Sequence, residues 1–210
     1  MHGALTARKA ARLADTFAQE PERLYFDSGD AVSFGNLDIR PWDMTISRLN
    51  ALGCAAMAMG NRELLPWATL CRWKTAAAAF PVLGANVTLL GRPVPWLQPS
   101  TVLTTASGLR VGVFGLTLPI VISGTWHEWV SRFRFEPPIQ AAKRLAAKLR
   151  PQCDILVALT HVGLPADREI AQSAVGIDLI LGGHSHIETN PLERHGRTVI
   201  CHSKDLARYA

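Results

Sequence analysis

The 210-residue chain has few cysteines, no long apolar run, no block of like charge and no repeat or low-complexity tract. Each absence excludes something. The four cysteines (Cys54, Cys71, Cys153 and Cys201) stand far apart and form no C-x-x-C pair. Most of them read as small buried hydrophobes, and a reducing compartment follows. No stretch is apolar for long enough to span a bilayer, and the first residues lack the apolar core of a secretory signal. The expected setting is cytoplasmic, with no membrane partner. The net charge of +5 and pI near 9.3 are a modest excess spread over scattered arginines. Without a basic arm or an aromatic-basic ribbon, no nucleic-acid partner is expected. The excess suits an anionic small-molecule substrate and equally suits a solvated basic surface.

What is present is a globular composition, 48% hydrophobic and 19% charged, in a chain long enough to bury one sizeable core. Apolar strands and amphipathic helices alternate, and residues 1–210 are read as one α/β domain. Helical periodicity covers 5–19, 42–52, 63–79, 140–149 and a segment near 167–174. Extended segments cover 23–27, 54–59, 80–87, 155–161, 177–181 and 198–202. Residues 94–105 and 109–116 read as a hairpin turning on Ala106-Ser107-Gly108. Residues 119–135 read as an irregular, tryptophan-bearing excursion near a site opening. Both ends read as truncated: Met1-His2-Gly3 forms a loop with no strand before it, and 204–210 stops without a terminating element.

The chemistry lies at strand ends. Asp178-Leu-Ile-Leu-Gly-Gly-His184-Ser185-His186 delivers two histidines from an apolar strand through a glycine pair, and Thr160-His161 closes the strand before it. Neutral imidazole is the commonest protein ligand for divalent transition metals. Gly29-Asp30, Gly60-Asn61 and His2-Gly3 occupy comparable positions. In open α/β sheets, loops at the carboxyl ends of strands converge on one crevice. One carboxylate, one carboxamide and four imidazoles are too many for one tetrahedral ion, and suit two ions about 3.5–4 Å apart.

This order resembles the calcineurin-like metallophosphoesterase superfamily, whose signature runs D-x-H, G-D, G-N-H-[DE], H, G-H-x-H. Within it, the chain is most similar to the N-terminal catalytic domain of the 5′-nucleotidase and 2′,3′-cyclic phosphodiesterase branch. Phe80-Pro-Val-Leu-Gly-Ala-Asn86-Val, Val111-Gly-Val-Phe-Gly-Leu-Thr117 and Gly176-Ile-Asp-Leu-Ile-Leu-Gly-Gly-His-Ser-His186 carry the likeness further. The resemblance implies a four-layer α/β/β/α sandwich, with its first strand missing from the sequence as given. It implies a dinuclear centre of Mn, Fe, Zn or Co, with Asp30 bridging. His2 and His186 then serve one ion, and Asn61, His161 and His184 the other. The implied reaction is hydrolysis of a phosphoester in a small phosphorylated substrate.

Two positions depart from the signature. The aspartate of D-x-H falls one residue before Met1. The G-N-H-E motif reads Gly60-Asn61-Arg62-Glu63, and the aspartate that usually orients its histidine is Leu65. Arg62 stays charged and is a poor proton donor, although it suits bidentate contact with phosphoryl oxygens. Activity on alkyl esters is therefore expected to suffer more than activity on anhydrides or aryl phosphates. The alternative is a catalytically weak metal- and phosphate-binding domain in which Arg62 pairs with Glu63 or another acid. His127 is a surface histidine or a substitute acid, Asp178 a structural position, and His195 and His202 non-ligands.

Overall fold

Apolar strands alternating with one-sided helices must stack in layers to cover their apolar faces. The computed structural model describes residues 5–20, 22–32, 44–64, 68–120 and 124–203. In chain order its elements are α1 (Ala7–Phe17), β1 (Tyr25–Asp27), α2 (Met44–Ala51), β2 (Cys54–Ala58), α3 (Asn61–Leu64), α4 (Ala68–Thr75), β3 (Val82–Leu83), β4 (Val87–Leu89), β5 (Arg92–Pro93), β6 (Ser100–Thr104), β7 (Arg110–Thr117), α5 (Trp126–Ser131), β8 (Phe133–Phe135), α6 (Pro138–Leu149), β9 (Ile155–His161), α7 (Leu164–Ser173), β10 (Leu179–Gly182), β11 (Glu193–His195) and β12 (Thr198–His202).

Two sheets face each other. One is parallel, in the order β1-β2-β3, and the other is six-stranded, in the order β11-β12-β10-β9-β7-β6. Strands β7, β9, β10 and β12 of the second sheet are mutually parallel, and the edge strands β6 and β11 are antiparallel. The sequence of β9 is apolar at nearly every position because both of its faces are covered. Val157 and Leu159 point inward with Val111 and Val113, against Ala56, Ala58 and Leu83 of the smaller sheet. Leu156 and Ala158 point outward with Phe114 and Ile180, against Ala141, Leu145 and Leu149 of α6 and Ile170 of α7. Behind the smaller sheet, Leu13, Ile46, Leu49 and Cys71 from α1, α2 and α4 pack with Met57 and Met59. Three cores between four layers make the expected α/β/β/α sandwich.

The elements differ from the sequence reading in three places. Helical periodicity over 63–79 resolves into α3 and α4; the stretch carries Pro66, which lacks the N–H that an α-helical ladder needs. The extended run 80–87 divides between two sheets, β3 pairing with β2 and β4 with β5 and β8. The excursion over 119–135 holds a short helix, α5, and a strand, β8, and it exposes Trp126 and Trp129. Among the described residues, no helix is long and apolar enough to cross a membrane.

Asn86 fixes the carboxyl end of β7. It is buried, and its Nδ2 donates to the Thr117 carbonyl at 2.9 Å while its Oδ1 accepts from the Thr117 N–H at 2.9 Å. The side chain thus takes the place of a strand neighbour. Asn86→Ala strands two buried backbone groups and is expected to cost about 2–4 kcal/mol of unfolding free energy, read from urea denaturation. A loss below about 0.5 kcal/mol, the usual range for surface changes, would show that the bridge is dispensable.

Candidate metal centre

Four parallel strands bring their carboxyl ends to one edge of the sandwich. Asp30 follows β1, Asn61 opens α3 after β2, His161 closes β9, and His184 follows β10. Asp30, His184 and His186 all take left-handed backbone conformations, with φ of 59°, 76° and 53°. Such conformations cost a residue with a Cβ on the order of 1–3 kcal/mol and persist only where the surroundings impose them. At Asp30, Glu63 supplies that constraint. Its fully buried carboxylate accepts from Asp30 N at 2.9 Å, Gly60 N at 2.8 Å and Val32 N at 2.9 Å, tying the β1 and β2 loops together.

The side chains converge closely. His161 Nε2 lies 3.3 Å from Asp30 Oδ2 and 3.2 Å from Asn61 Oδ1, and His184 Nδ1 lies 3.1 Å from the same amide oxygen. The His161 and His184 rings meet edge to face, with centroids 5.3 Å apart. His161 Nδ1 donates to the Ser28 carbonyl at 2.8 Å, which fixes the tautomer. In neutral His161, Nε2 is therefore a bare lone pair facing two further acceptor oxygens. That arrangement is repulsive unless a cation or a second proton sits among the three atoms.

The donor set fits a divalent ion. Bonds of about 2.0–2.1 Å in a tetrahedral site place neighbouring donors about 3.3 Å apart, close to the separations found here. Nitrogen and oxygen donors of this kind suit Zn, Mn, Fe or Co. Among the described residues, His, Cys, Asp and Glu alone form no group of three that could hold an ion, and the amide oxygen of Asn61 is the atom that joins the two imidazoles.

Electrostatics follow from this crowding. Burial works against charge on Asp30, but His161 and Arg62 outweigh it and hold its carboxyl below the usual range. Burial likewise works against a proton on His161, and the Asp30 carboxylate overcomes it and raises the pKa. His184 is shifted down, by burial and then by the charge on His161. Burial and the nearby Asp30 charge push Glu63 up to about 7 despite its backbone donors. Asp27, at the end of β1, is pushed up to about 6 by burial, against the pull of the Gly29 N–H on its side chain.

Asp30, Asn61, His161 and His184 are thus brought together as the sequence suggested. His186 follows on the same turn, and His2 and Leu65 lie outside the described residues. Arg62 N donates to Asp30 Oδ1 at 2.9 Å, and its guanidinium Nε lies 3.3 Å from Asp30 Oδ2. Its acid is therefore Asp30 and not Glu63, which is taken up by backbone donors. His127 falls on α5, with its side chain outside the described set. Asp178 pairs with Arg150 and accepts from Leu156 N, a structural role at the opposite ends of the strands. Sequence reasoning missed Glu63 as the tie between loops, although the fourth residue of the G-N-x-E motif carried that signal. It had no means of finding the Ser28 carbonyl behind His161.

A family model described as calcineurin-like phosphoesterase matches residues 2–188. A trifunctional nucleotide phosphoesterase, YfkN, from Bacillus subtilis is 26% identical over 97% of this chain and 16% of its own length. A 5′-nucleotidase from Diplobatis ommata is 32% identical over 86% of this chain and 32% of its own. The chain thus spans less than a third of the length of these curated relatives. The crystal structure of a 5′-nucleotidase precursor from Thermus thermophilus superposes with a TM-score of 0.78 over 94% of this chain and 42% of that one, at 23% identity.

The crowding has two measurable consequences. A Cβ at Gly183 would lie 3.0 Å from His161 Nδ1 and 3.3 Å from the Ser28 carbonyl oxygen, across the bond that orients the imidazole. Gly183→Ala is therefore expected to weaken Zn²⁺ affinity about 10-fold in calorimetric titration, and an unchanged Kd would contradict that role for the bond. Glu63 has a folded pKa raised above its unfolded value, so its contribution to stability is present at low pH and is lost as pH rises through about 7. In metal-free protein, Glu63→Gln should gain stability relative to wild type as pH rises from about 4.5 to about 7. Denaturant midpoints with a constant difference across that range would contradict the buried, raised carboxyl.

Proposed function

The chain belongs to the calcineurin-like phosphoesterase family, and on that premise we propose that it hydrolyses a phosphoester of a nucleotide or a similarly small phosphorylated substrate, using two divalent ions. The observation that supports this reading is the approach of His161 Nε2 to Asp30 Oδ2 and Asn61 Oδ1, a cluster that holds either a second proton on His161 or a divalent ion. The nucleotide class rests on the relatives, a nucleotide phosphoesterase and a 5′-nucleotidase. Asp30, Asn61, His161 and His184 would hold one ion, and His186, with His2 as the family resemblance implies, would serve the other. When bound, the ions supply Lewis acidity and lower the pKa of the attacking water.

The chain's own groups do the remaining work. Asp30 presents its Oδ2 to the site, while its Oδ1 is anchored on the Arg62 N–H. Ser28 holds the His161 ring so that Nε2 faces inward. Arg62, partly exposed beside Asp30, is placed to give its N–H fork to the oxygens of an incoming phosphoryl group. It neutralises charge there, but it holds its own proton too firmly to pass it to a leaving alkoxide. Substrates whose leaving group needs no proton are favoured accordingly.

A second reading is a weakly catalytic metal- and phosphate-binding domain, and the Arg62 guanidinium beside the Asp30 carboxylate favours it. Two ions per chain with turnover of an aryl phosphate support the enzyme. Binding of a nucleotide without turnover supports the alternative.

The decisive comparison is metal-loaded wild type against Arg62→His, on an aryl phosphate and on an alkyl monoester. The variant is expected to raise kcat on the alkyl ester by about 10²-fold and to change the aryl ester far less. Equal turnover of the alkyl ester by both proteins, with metal content confirmed, would remove the proton-donor argument.

A further inference from the structure

On the outer face of the same strand ends lies a second polar cluster. His202 ends β12 and Asp167 lies on α7, and His202 Nε2 is 2.7 Å from Asp167 Oδ2 with both side chains fully enclosed. Thr160, on β9, faces the same carboxyl, and Thr160 Oγ1, Asp167 Oδ1 and His202 Nδ1 make no hydrogen bond by geometry. The register explains the meeting: Thr160, Gly182 and His202 stand abreast on β9, β10 and β12. Gly182 has no side chain, so Asp167 descends from the helix into the gap. A Cβ at Gly182 would collide with both His202 Nε2 and Asp167 Oδ2.

An aspartate and a histidine wholly enclosed among the residues of an apolar layer are costly to bury, and a leucine pair would pack there at no such cost. Their position suggests what they do. One residue beyond Gly182, the chain enters the Gly183–His186 turn, which holds two residues with side chains at positive φ. Besides the approach of His184 Nδ1 to Asn61 Oδ1, described bonds restrain this turn from two directions. Ser185 N donates to Gly183 O at 3.0 Å within the turn, and Leu164 N, at the start of α7, donates to Ser185 Oγ at 3.2 Å. One turn further along α7, Asp167 grips His202 across Gly182. The helix therefore meets the turn at its exit through Ser185 and at its entrance through the Asp167–His202 pair. His202 is itself tied down, its N–H donating to Thr189 Oγ1 at 2.8 Å.

We propose that Asp167 and His202 are positioning residues: their buried contact across Gly182 clamps α7 to the sheet and holds the His184–His186 turn in its strained conformation. The consequence for ion binding rests on the reading of His184 as a ligand, but the clamp itself does not. The two glycines of the motif then serve opposite faces. Gly183 leaves room for the Ser28–His161 bond on the inner face, and Gly182 leaves room for the Asp167–His202 contact on the outer one.

The test compares wild type, His202→Ala and His202→Gln, the last keeping an N–H donor for Asp167. Two quantities are read: amide hydrogen exchange of residues 183–186 in metal-free protein, and Co²⁺ affinity from visible absorption. His202→Ala is expected to speed exchange in the turn at least 10-fold while β7 and β9 keep their protection. It should also weaken Co²⁺ binding about 10–100-fold, the usual cost of losing a group that orients a ligand. His202→Gln should restore both toward wild type. Should His202→Ala fail to fold, His202→Leu fills the volume without the contact and carries the same expectation. Exchange in the turn that is unchanged, or that rises equally throughout the sheet, would overturn the proposal. Faster exchange in the turn of a protein that takes up no Co²⁺ even as wild type would support the clamp and refute the metal reading.

Discussion

The structure turns on one crowded contact, the approach of His161 Nε2 to Asp30 Oδ2 and Asn61 Oδ1 within 3.2–3.3 Å. Because Ser28 claims the proton on the other ring nitrogen, three electron-rich atoms face one another. A folded protein keeps such a cluster only when something positive belongs inside it. Arg62 supplies part of that charge from the side, and a second proton on His161 supplies it when the raised pKa allows. A divalent ion supplies it more completely, and the donor spacing matches one.

The surrounding layers exist in a form that forces this approach. Parallel strands in two facing sheets deliver their loops to the same edge, so residues distant in sequence meet without long excursions. Side chains alternate across β9, so His161 points inward to the candidate centre and Thr160 points outward to Asp167. The same alternation divides the glycine pair, one residue to each face. Glu63 closes the arrangement from the smaller sheet by holding the β1 and β2 loops through three backbone donors. The site is thus a place where local rules are broken, with positive φ at Asp30 and His184 and a carboxylate buried among apolar layers. Such departures are sustained by the packing around them.

Much of this was legible in the sequence. The apolar runs at 155–161 and 198–202 matched β9 and β12, and the Ala106-Ser107-Gly108 turn does join β6 to β7. That Asp30, Asn61, His161 and His184 meet was legible because glycines and strand ends mark where loops of an open sheet converge. The division of 80–87 between two sheets was not legible, since it depends on Asn86 reaching Thr117, 31 residues away. Nor was the ion-pair partner of Arg62, because Glu63 stood beside it in sequence and only the fold shows that three N–H groups claim it. His202 looked like a bystander near a hairpin; its partner lies on a helix 35 residues earlier and meets it only through the gap left by Gly182. Periodicity reports which face a residue takes, and not which residue it meets there.

The most direct measurement is anomalous scattering at the zinc edge from crystals grown with Zn²⁺. A peak is expected within about 2.0–2.2 Å of a carboxylate oxygen of Asp30, the amide oxygen of Asn61 and a ring nitrogen each of His161 and His184. A peak elsewhere, or none at saturating Zn²⁺ with these four side chains still 3.1–3.3 Å apart, would contradict it.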